Sequence, residues 1–245
     1  MEKALNYFDN IQSTLNKVKE TQSDNIEKAT KLMFSTFQVG ANIFVFGASH
    51  AGILTEEMFC RAGGLMVVNP IFNPTLMLNT RPFTITSHME RLEGFGAIIL
   101  NNSPIRKGDL LILHSVSGRN SVTIDMAIRA KELGISIIVI TSMDYTTSIS
   151  SRHSSGKLLY EFGDIVIDNC GVYGDASVNV TDSVTAGPTS TVVGVAISHM
   201  LSVGFAQLCA ENNIEPPVFI SANADGDKSS NEELLIKYLD RIHYM

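Results

Sequence analysis

The sequence has few of the features that mark secreted or metal-binding proteins. Its three cysteines are an odd number, lie in apolar or small-residue surroundings, and lack the spacing of a metal site. They are Cys60, Cys170 and Cys209. The acidic N-terminus has neither the basic start nor the apolar core of a signal peptide. These absences predict reduced thiols and a cytoplasmic protein.

Positive charge is also scarce. The 245 residues carry a formal net charge of −7, so we expect no binding to nucleic acid or to an acidic membrane. No helix-turn-helix segment precedes the main domain, which disfavours a direct transcription regulator. The most apolar long run, Val192–Ala210, is interrupted by His199 and Gln207 and lacks a basic flank. It therefore predicts a core or interface helix, not a membrane span.

The common nucleotide-binding motifs are missing as well. No GxxxxGK[ST] motif is present, so the sequence does not support P-loop nucleotide hydrolysis. The turn after the first predicted strand lacks the GxGxxG spacing of a dinucleotide-binding fold. We therefore expect no nucleotide cofactor.

The first forty residues have an amphipathic helical pattern. Apolar side chains recur at spacings of three and four, at Leu5, Phe8, Ile11, Leu15 and Val18. The polar stretch Thr21–Asn25 predicts a break, with Ser23 or Asp24 capping a second helix. Two such helices need a surface to cover. Residues 1–40 are thus predicted to form an oligomer interface and to belong to the same domain as residues 41–245.

From residue 41 onward, short apolar runs alternate with helical patterns. The predicted strands are Ile43–Phe46, Leu65–Val68, Leu110–His114, Ser136–Thr141 and Ile165–Ile167. The predicted helices are Ala51–Arg61, Ser87–Leu100, Ser121–Leu133 and, after breaks at Pro216–Pro217 and Asp225–Gly226, Asn231–His243. Apolar strands separated by helices are typical of an α/β fold, a doubly wound parallel sheet covered on both faces.

Two of the predicted strands continue into helices through small polar residues. The first turn is Gly47-Ala48-Ser49-His50, and the second is Ser115-Val116-Ser117-Gly118-Arg119-Asn120. In a parallel sheet both turns lie at the carboxyl edge, where open α/β folds bind ligands. Amide hydrogens at helix N-termini and nearby serine hydroxyls suit an anion. Helix capping would explain either turn alone, whereas the two together favour an anion site.

The two turns, together with Ile137–Ser142 and Gly163–Asp168, resemble the sugar isomerase (SIS) domain, from the N-terminal helices to about residue 210. The resemblance implies a flavodoxin-like sheet that binds a phosphosugar and assembles as a homodimer or homotetramer. The implied phosphate and sugar contacts are Ser49, His50, Ser115, Ser117, Gly118, Arg119 and Asn120. Arg119 stands where many members have a small polar residue, and it would supply a local cation to this acidic protein.

Two further segments resemble the phosphoheptose isomerases of that family. Glu56-Glu57-Met58-Phe59-Cys60-Arg61 is similar to the segment that carries their base, and Ile197–Leu201 to the segment that carries their catalytic histidine. The resemblance implies Glu57 as the base that moves a proton between C1 and C2, and His199 as the group that assists ring opening. An ordinary Glu57–Arg61 helix ion pair and a hydrogen-bonded core histidine remain open alternatives.

The chain also departs from the phosphoheptose isomerases. Where the metal-dependent members have a histidine before the base and a glutamine before the catalytic histidine, this chain has Ile53 and Thr191. We therefore expect no zinc or other metal, and heptose phosphate need not be the substrate. The segment Arg61–Leu65 is closer to a bacterial group of SIS proteins with no assigned substrate. Glu90 and Glu93 are alternative carboxylates for the base, although a solvated helix face explains them more simply.

Together these features predict an aldose–ketose isomerase of a sugar phosphate that uses neither metal nor cofactor. Three other functions stay open. The first is a phosphosugar sensor or assembly protein without turnover. The second is an etherase-type lyase acting on an amino-sugar 6-phosphate such as N-acetylmuramic acid 6-phosphate. The third is an isomerase whose sugar carries another anion, such as a sulfonate.

Overall fold

A five-stranded parallel sheet forms the centre of the computed structural model, which describes residues 1–221 and 229–245. The strands are β1 (Ile43–Gly47), β2 (Val68–Pro70), β3 (Leu110–His114), β4 (Ser136–Thr141) and β5 (Ile165–Asp168). They lie in the order β2-β1-β3-β4-β5, which is the flavodoxin-like order of a doubly wound sheet. The predicted fold class is confirmed.

Helices cover both faces of this sheet. They are α1 (Glu2–Gln38), α2 (Gly52–Met58), α3 (Ile85–Met89), α4 (Phe95–Asn101), α5 (Ser121–Leu133), α6 (Met143–Thr147), α7 (Ser190–Glu211) and α8 (Ser229–Lys237). Successive side chains of a strand point to opposite faces. Ile43 and Val45 of β1 therefore join a core with α1 and α7, while Phe44 and Phe46 join a second core with α4 and α5. A small antiparallel hairpin, β6 (Val178–Asn179) and β7 (Thr185–Ala186), precedes α7.

The prediction of two N-terminal helices is wrong, because α1 is a single helix of 37 residues. Thr21 and Ser23, in the predicted break, donate their hydroxyl hydrogens to the carbonyl oxygens of Lys17 and Lys19, one turn back. Hydroxyl groups can satisfy themselves in this way inside a helix as well as at a cap. The polar stretch therefore continues the helix.

The second strand lies later in the chain than predicted. Leu65 and Met66 are buried, but they pair with the segment before α8 and not with β1: Leu65 forms an antiparallel bridge with Val218, and Met66 N–H donates to the Pro217 carbonyl. The strand that pairs with β1 begins at Val68. Apolar composition alone does not distinguish these two kinds of extended segment.

The predicted helix Ser87–Leu100 is divided into α3 and α4. Gly94, at the start of α4, has a φ of 83°, in the left-handed region that glycine adopts without a steric penalty. The last predicted helix is also shorter, since α8 ends at Lys237 and a 3₁₀ turn follows at Leu239–Arg241. The predicted break at Asp225–Gly226 lies outside the described residues.

Helix α7 packs against α1 and the sheet, as predicted for a core helix. Val193, Ile197, Leu201, Phe205 and Cys209 recur every four residues and are completely buried. Within residues 1–221 and 229–245, α7 is the one helix long and apolar enough to cross a membrane, a test that buried core helices also pass. Its buried stripe makes it a core helix here.

A candidate anion-binding cleft and a glutamate–histidine pair

The two polar turns are neighbours at the carboxyl edge of the sheet. Strands β1 and β3 are hydrogen-bonded in parallel, and the register places Gly47 opposite His114 at their ends. Each turn starts at or just after these residues. The sheet therefore brings Ser49 of the first turn and Ser115 of the second to one edge, where open α/β folds bind their ligands.

Both turns line one cleft of about 410 Å³, which lies within the ~300–1,000 Å³ common for small-molecule sites. Five of the predicted contact residues line it: Ser49, His50, Ser115, Ser117 and Asn120. Gly118 and Arg119 do not. Thr86, Ser87 and Glu90, from α3 and the residue that follows it, also line the cleft.

Each of the two turns contains one residue in the left-handed backbone conformation. Ser49 has a φ of 51°, a left-handed conformation that is uncommon for a residue with a side chain and is often kept at functional sites. Gly118 has a φ of 61°, and its amide donates to Ser115 Oγ at 3.2 Å. The hydroxyl hydrogen of Ser115 stays available to donate.

Asn120 connects the second turn to Glu90, which follows α3, and to Arg152. Its Nδ2 donates to Glu90 Oε2 at 3.1 Å, and its Oδ1 accepts from Arg152 Nη1 at 2.9 Å. Glu90 is half-buried, whereas Glu93 is fully exposed and accepts from the Ser154 amide at 2.7 Å. The hydrogen bonds from Ser154 lower the pKa of Glu93. Of the two alternative carboxylates, only Glu90 therefore lines the cleft.

Two residues to which the sequence analysis gave no role lie at the cleft: His114 contacts one of its lining residues, and Asp175 lines it. His114 is buried at the end of β3, and its Nδ1–H donates to the Ala51 carbonyl at 3.0 Å. Burial lowers the pKa of His114, which keeps the imidazole neutral. Asp175 lines the cleft and accepts from the amides of Thr189 and Ser190 at 3.0 and 2.9 Å. It thus caps the start of α7, and its position 15 residues before Ser190, within the connection between β5 and α7, gave no local signal of this contact.

The structure brings together the two residues predicted to transfer protons. His199 Nε2 lies 2.8 Å from Glu57 Oε1, although the residues are 142 positions apart. Arg61, three residues beyond the end of α2, contacts the same carboxylate oxygen. The ion pair between Glu57 and Arg61 that the sequence left as an alternative therefore exists, although Arg61 lies outside the helix, and His199 contacts the same carboxylate.

The contact between Glu57 and His199 is a hydrogen bond to a neutral imidazole. Burial lowers the pKa of His199, and the nearby Arg61 guanidinium lowers it further. A carboxylate can only accept, so Nε2 carries the hydrogen. About a third of the His199 side chain and a quarter of the Glu57 side chain remain exposed, at 36% and 27%. The pair is therefore accessible to a ligand.

The pair does not line the cleft of its own chain. His199 follows Ser190 by nine residues along α7, a distance of ~14 Å at the rise of an α-helix. It faces a separate groove of about 760 Å³ between α1 and α7, which Lys31, Met200 and Val203 also line. The serine turns and His199 therefore line different cavities of one subunit.

Among the side chains that the structure describes, no three from histidine, cysteine, aspartate and glutamate are grouped so as to hold a metal ion. His199 and Glu57 are accompanied by Arg61, whose positive charge opposes a cation at this position. The chemistry available at the pair is therefore proton transfer.

Comparison with known proteins gives the family. Residues 6–142 match the family model of the SIS domain. The chain belongs to the SIS domain family. A UPF0309 protein of Shouchella clausii is 46% identical over 240 residues, which cover 98% of each chain.

Solved SIS structures share the fold at low sequence identity. A phosphoheptose isomerase of Francisella tularensis is 16% identical, with a TM-score of 0.52 over 84% of this chain and 97% of that one. The sugar isomerase domain of an RpiR transcription factor from Sphaerobacter thermophilus is 15% identical, with a TM-score of 0.51 over 99% and 100%. The family resemblance in the sequence is thus confirmed, and the fold occurs in both an isomerase and a regulator.

Proposed function

We propose that this SIS-domain protein binds a sugar phosphate in the cleft at the carboxyl edge of β1 and β3. The convergence of Ser49, Ser115, Ser117 and Asn120 on one cleft is the observation that carries the proposal. Serine hydroxyls can donate hydrogen bonds there without bringing a full charge. They suit a phosphate in a protein whose net charge of −7 repels anions at long range.

We further propose that the protein is an aldose–ketose isomerase. The Glu57 carboxylate would move the proton between C1 and C2, and His199 would take the proton of the anomeric hydroxyl and pass it to the ring oxygen during opening. The contact of 2.8 Å between the two side chains and the depressed pKa of His199 support this assignment. A neutral imidazole can accept a proton near pH 7, which a protonated one cannot.

Because the pair does not face the cleft of its own chain, the complete site requires a second subunit. In this arrangement the Glu57–His199 pair of one subunit meets the cleft of another. Apolar side chains in the groove that His199 faces support such an assembly: Met200 and Val203 of α7 are 38% and 67% exposed. Exposed apolar patches of this kind commonly mark interfaces, and a two-fold dimer repeats the same contact twice.

Solvent exchange at the substrate carbon tests the isomerase proposal. We expect the purified protein to incorporate deuterium from D₂O at C2 of at least one hexose, pentose or heptose phosphate, because the abstracted proton exchanges with solvent before it returns. NMR of the recovered sugar measures this incorporation. Binding of sugar phosphates with no exchange in any of them would contradict isomerase activity and leave the binding proposal intact.

Mixed dimers test whether two subunits share the site. Glu57→Gln inactivates the pair and Ser117→Asp inactivates the cleft, so each homodimer should be inactive. Random mixing of equal amounts places one intact site in half of the dimers if the pair acts on the partner's cleft. The expected activity is then about a quarter of the wild-type value. If the pair serves the cleft of its own chain, the mixture stays as inactive as the two homodimers.

The separation of pair and cleft also favours a second candidate, a phosphosugar sensor without turnover. A sensor needs only the cleft, which is complete in one subunit. It predicts that Glu57→Gln and His199→Ala leave both the affinity for a sugar phosphate and the phenotype of the cell unchanged. Isothermal titration calorimetry and growth of a strain that carries the variants distinguish the sensor from the isomerase.

A further inference from the structure

Three arginines from three separate segments lie near one another beside the cleft, close enough for the charges of Arg91 and Arg119 to act on Arg152. Arg91 follows α3, Arg119 belongs to the second turn, and Arg152 lies in the loop between α6 and β5. The Arg152 amide donates to the Arg119 carbonyl at 3.0 Å, and its guanidinium donates to Asn120 Oδ1 at 2.9 Å. Since Asn120 lines the cleft, this cluster borders the cleft without lining it. We call these three residues the arginine cluster.

The charges of the arginine cluster are only partly offset by the protein, through Glu90, which raises the pKa of Arg152. Within residues 1–221 and 229–245, none of the three forms an ion pair with a carboxylate, whereas Arg61 and Arg129 each do. In addition, the Nε of Arg119 is buried and has no hydrogen-bond partner in this part of the chain. Burial lowers the pKa of Arg152, and the charges of Arg119 and Arg91 lower it further. Like charges held together in this way are destabilising unless an anion joins them.

The loop that carries Arg152 is fixed by contacts with α5 and with Glu93. His153 Nε2 contacts Asp125 Oδ1 of α5 at 3.0 Å, and the side chains of both residues are almost completely buried. The amide of Ser154 also donates to Glu93. The backbone of the loop at Arg152 is therefore positioned by the fold before any ligand arrives, which reduces the entropy lost on binding.

We propose that the arginine cluster binds a second anionic group of the substrate, so that the substrate class is a sugar phosphate with an additional phosphate or carboxylate. This inference rests on the proposed binding of a phosphate by the serine turns. The serine turns line the cleft and take the first phosphate. The arginine cluster stands beyond Asn120 and Glu90 and takes the second group. Guanidinium groups bind carboxylates and phosphates through two parallel hydrogen bonds, which a neutral hydroxyl cannot match.

Matched pairs of ligands test the proposal by isothermal titration calorimetry at one low ionic strength. One pair is fructose 6-phosphate and fructose 1,6-bisphosphate. The other is glucitol 6-phosphate and 6-phosphogluconate, which differ by a carboxylate in place of a hydroxymethyl group. We expect the ligand with two anionic groups to bind about tenfold more tightly than its partner in at least one pair. The pair that shows the difference identifies whether the second anionic group of the substrate is a phosphate or a carboxylate.

Arg152→Gln should reduce that ratio to within about twofold, because it weakens the ligand with two anionic groups more than the monophosphate. Lys157→Gln is the matched control, because it removes one positive charge from the same loop at a side chain that lies over the Phe162 ring. It should keep the tenfold ratio. Arg91→Gln serves as a second variant if thermal unfolding shows that Arg152→Gln is not folded.

Other results overturn the inference in distinguishable ways. If the wild-type protein binds monophosphates but shows no preference in either pair, the arginine cluster holds no second anion and the proposed function stands. If Arg152→Gln weakens both members of a pair equally, the cluster and the serine turns hold one and the same phosphate. If Lys157→Gln lowered the affinity ratio as much as Arg152→Gln does, the preference for two anionic groups would come from the net charge of the loop and not from the arginine cluster. If no ligand binds the wild-type protein, the proposed function fails as well.

Discussion

Glu57→Gln is expected to lower the rate of deuterium exchange and kcat by ~10²–10⁴-fold, the usual contribution of a positioned general base. The amide keeps the size of the carboxylate and can still accept from His199, but it cannot take up the substrate proton at neutral pH. The Kd for the sugar phosphate should stay within about twofold, because the phosphate is held in the cleft. NMR exchange rates and calorimetry measure the two quantities.

The chain offers two matched controls for this substitution. Glu56 is adjacent to Glu57 and exposed, and it points ~100° away around the helix, so Glu56→Gln should keep the activity. Glu90 lines the cleft and is bonded to Asn120. If Glu90→Gln lost the exchange and Glu57→Gln retained it, the base would be Glu90 and the glutamate–histidine pair would have a structural role.

Ser117→Asp is expected to lower the affinity for a sugar phosphate by ~100-fold or more. The new carboxylate removes a hydrogen bond to a charged group, worth about 1.5–3 kcal/mol. It also repels the phosphate by about 1–4 kcal/mol at a separation of ~4 Å. Each 1.4 kcal/mol, roughly, is a factor of ten in Kd. Isothermal titration calorimetry with the tightest-binding sugar phosphate measures the loss.

Ser183→Asp is the control for the added charge. Ser183 is exposed in the hairpin between β6 and β7 and does not line the cleft, so its substitution should change the Kd by less than about twofold in buffer of physiological ionic strength. Equal affinities of Ser117→Asp and Ser183→Asp would show that the phosphate does not bind at the second turn. The proposed function would then lose the observation that carries it.

Local patterns predicted the central part of the fold accurately. The strands Leu110–His114 and Ser136–Thr141 and the helix Ser121–Leu133 begin and end at the predicted residues. Their apolar runs are continuous, and Gly134, with a φ of 72°, ends the helix in the left-handed conformation typical of that position. The serine turns were predictable for the same reason, since each directly follows a strand that apolar composition marks clearly.

Predictions failed where one local pattern fits two structures. Thr21 and Ser23 suit a helix cap, but their hydroxyls bond within α1 instead. Leu65 and Met66 suit a strand beside β1, but they pair with the segment at Pro217 and Val218. In both places the outcome depends on which partner the rest of the fold supplies, and the local sequence does not contain that information.

The amino-acid sequence was sufficient for the α/β class and for the position of the two polar turns, because each depends on a short segment and its periodicity. Glu57 and His199 became candidates through the resemblance of their segments to the phosphoheptose isomerases. Three facts depended on packing between distant segments. They are the contact of Glu57 with His199 across 142 positions, its separation from the cleft, and the proximity of Arg91, Arg119 and Arg152. Strand order and helix packing set these distances, and residues far apart in the chain carry no local signal of them.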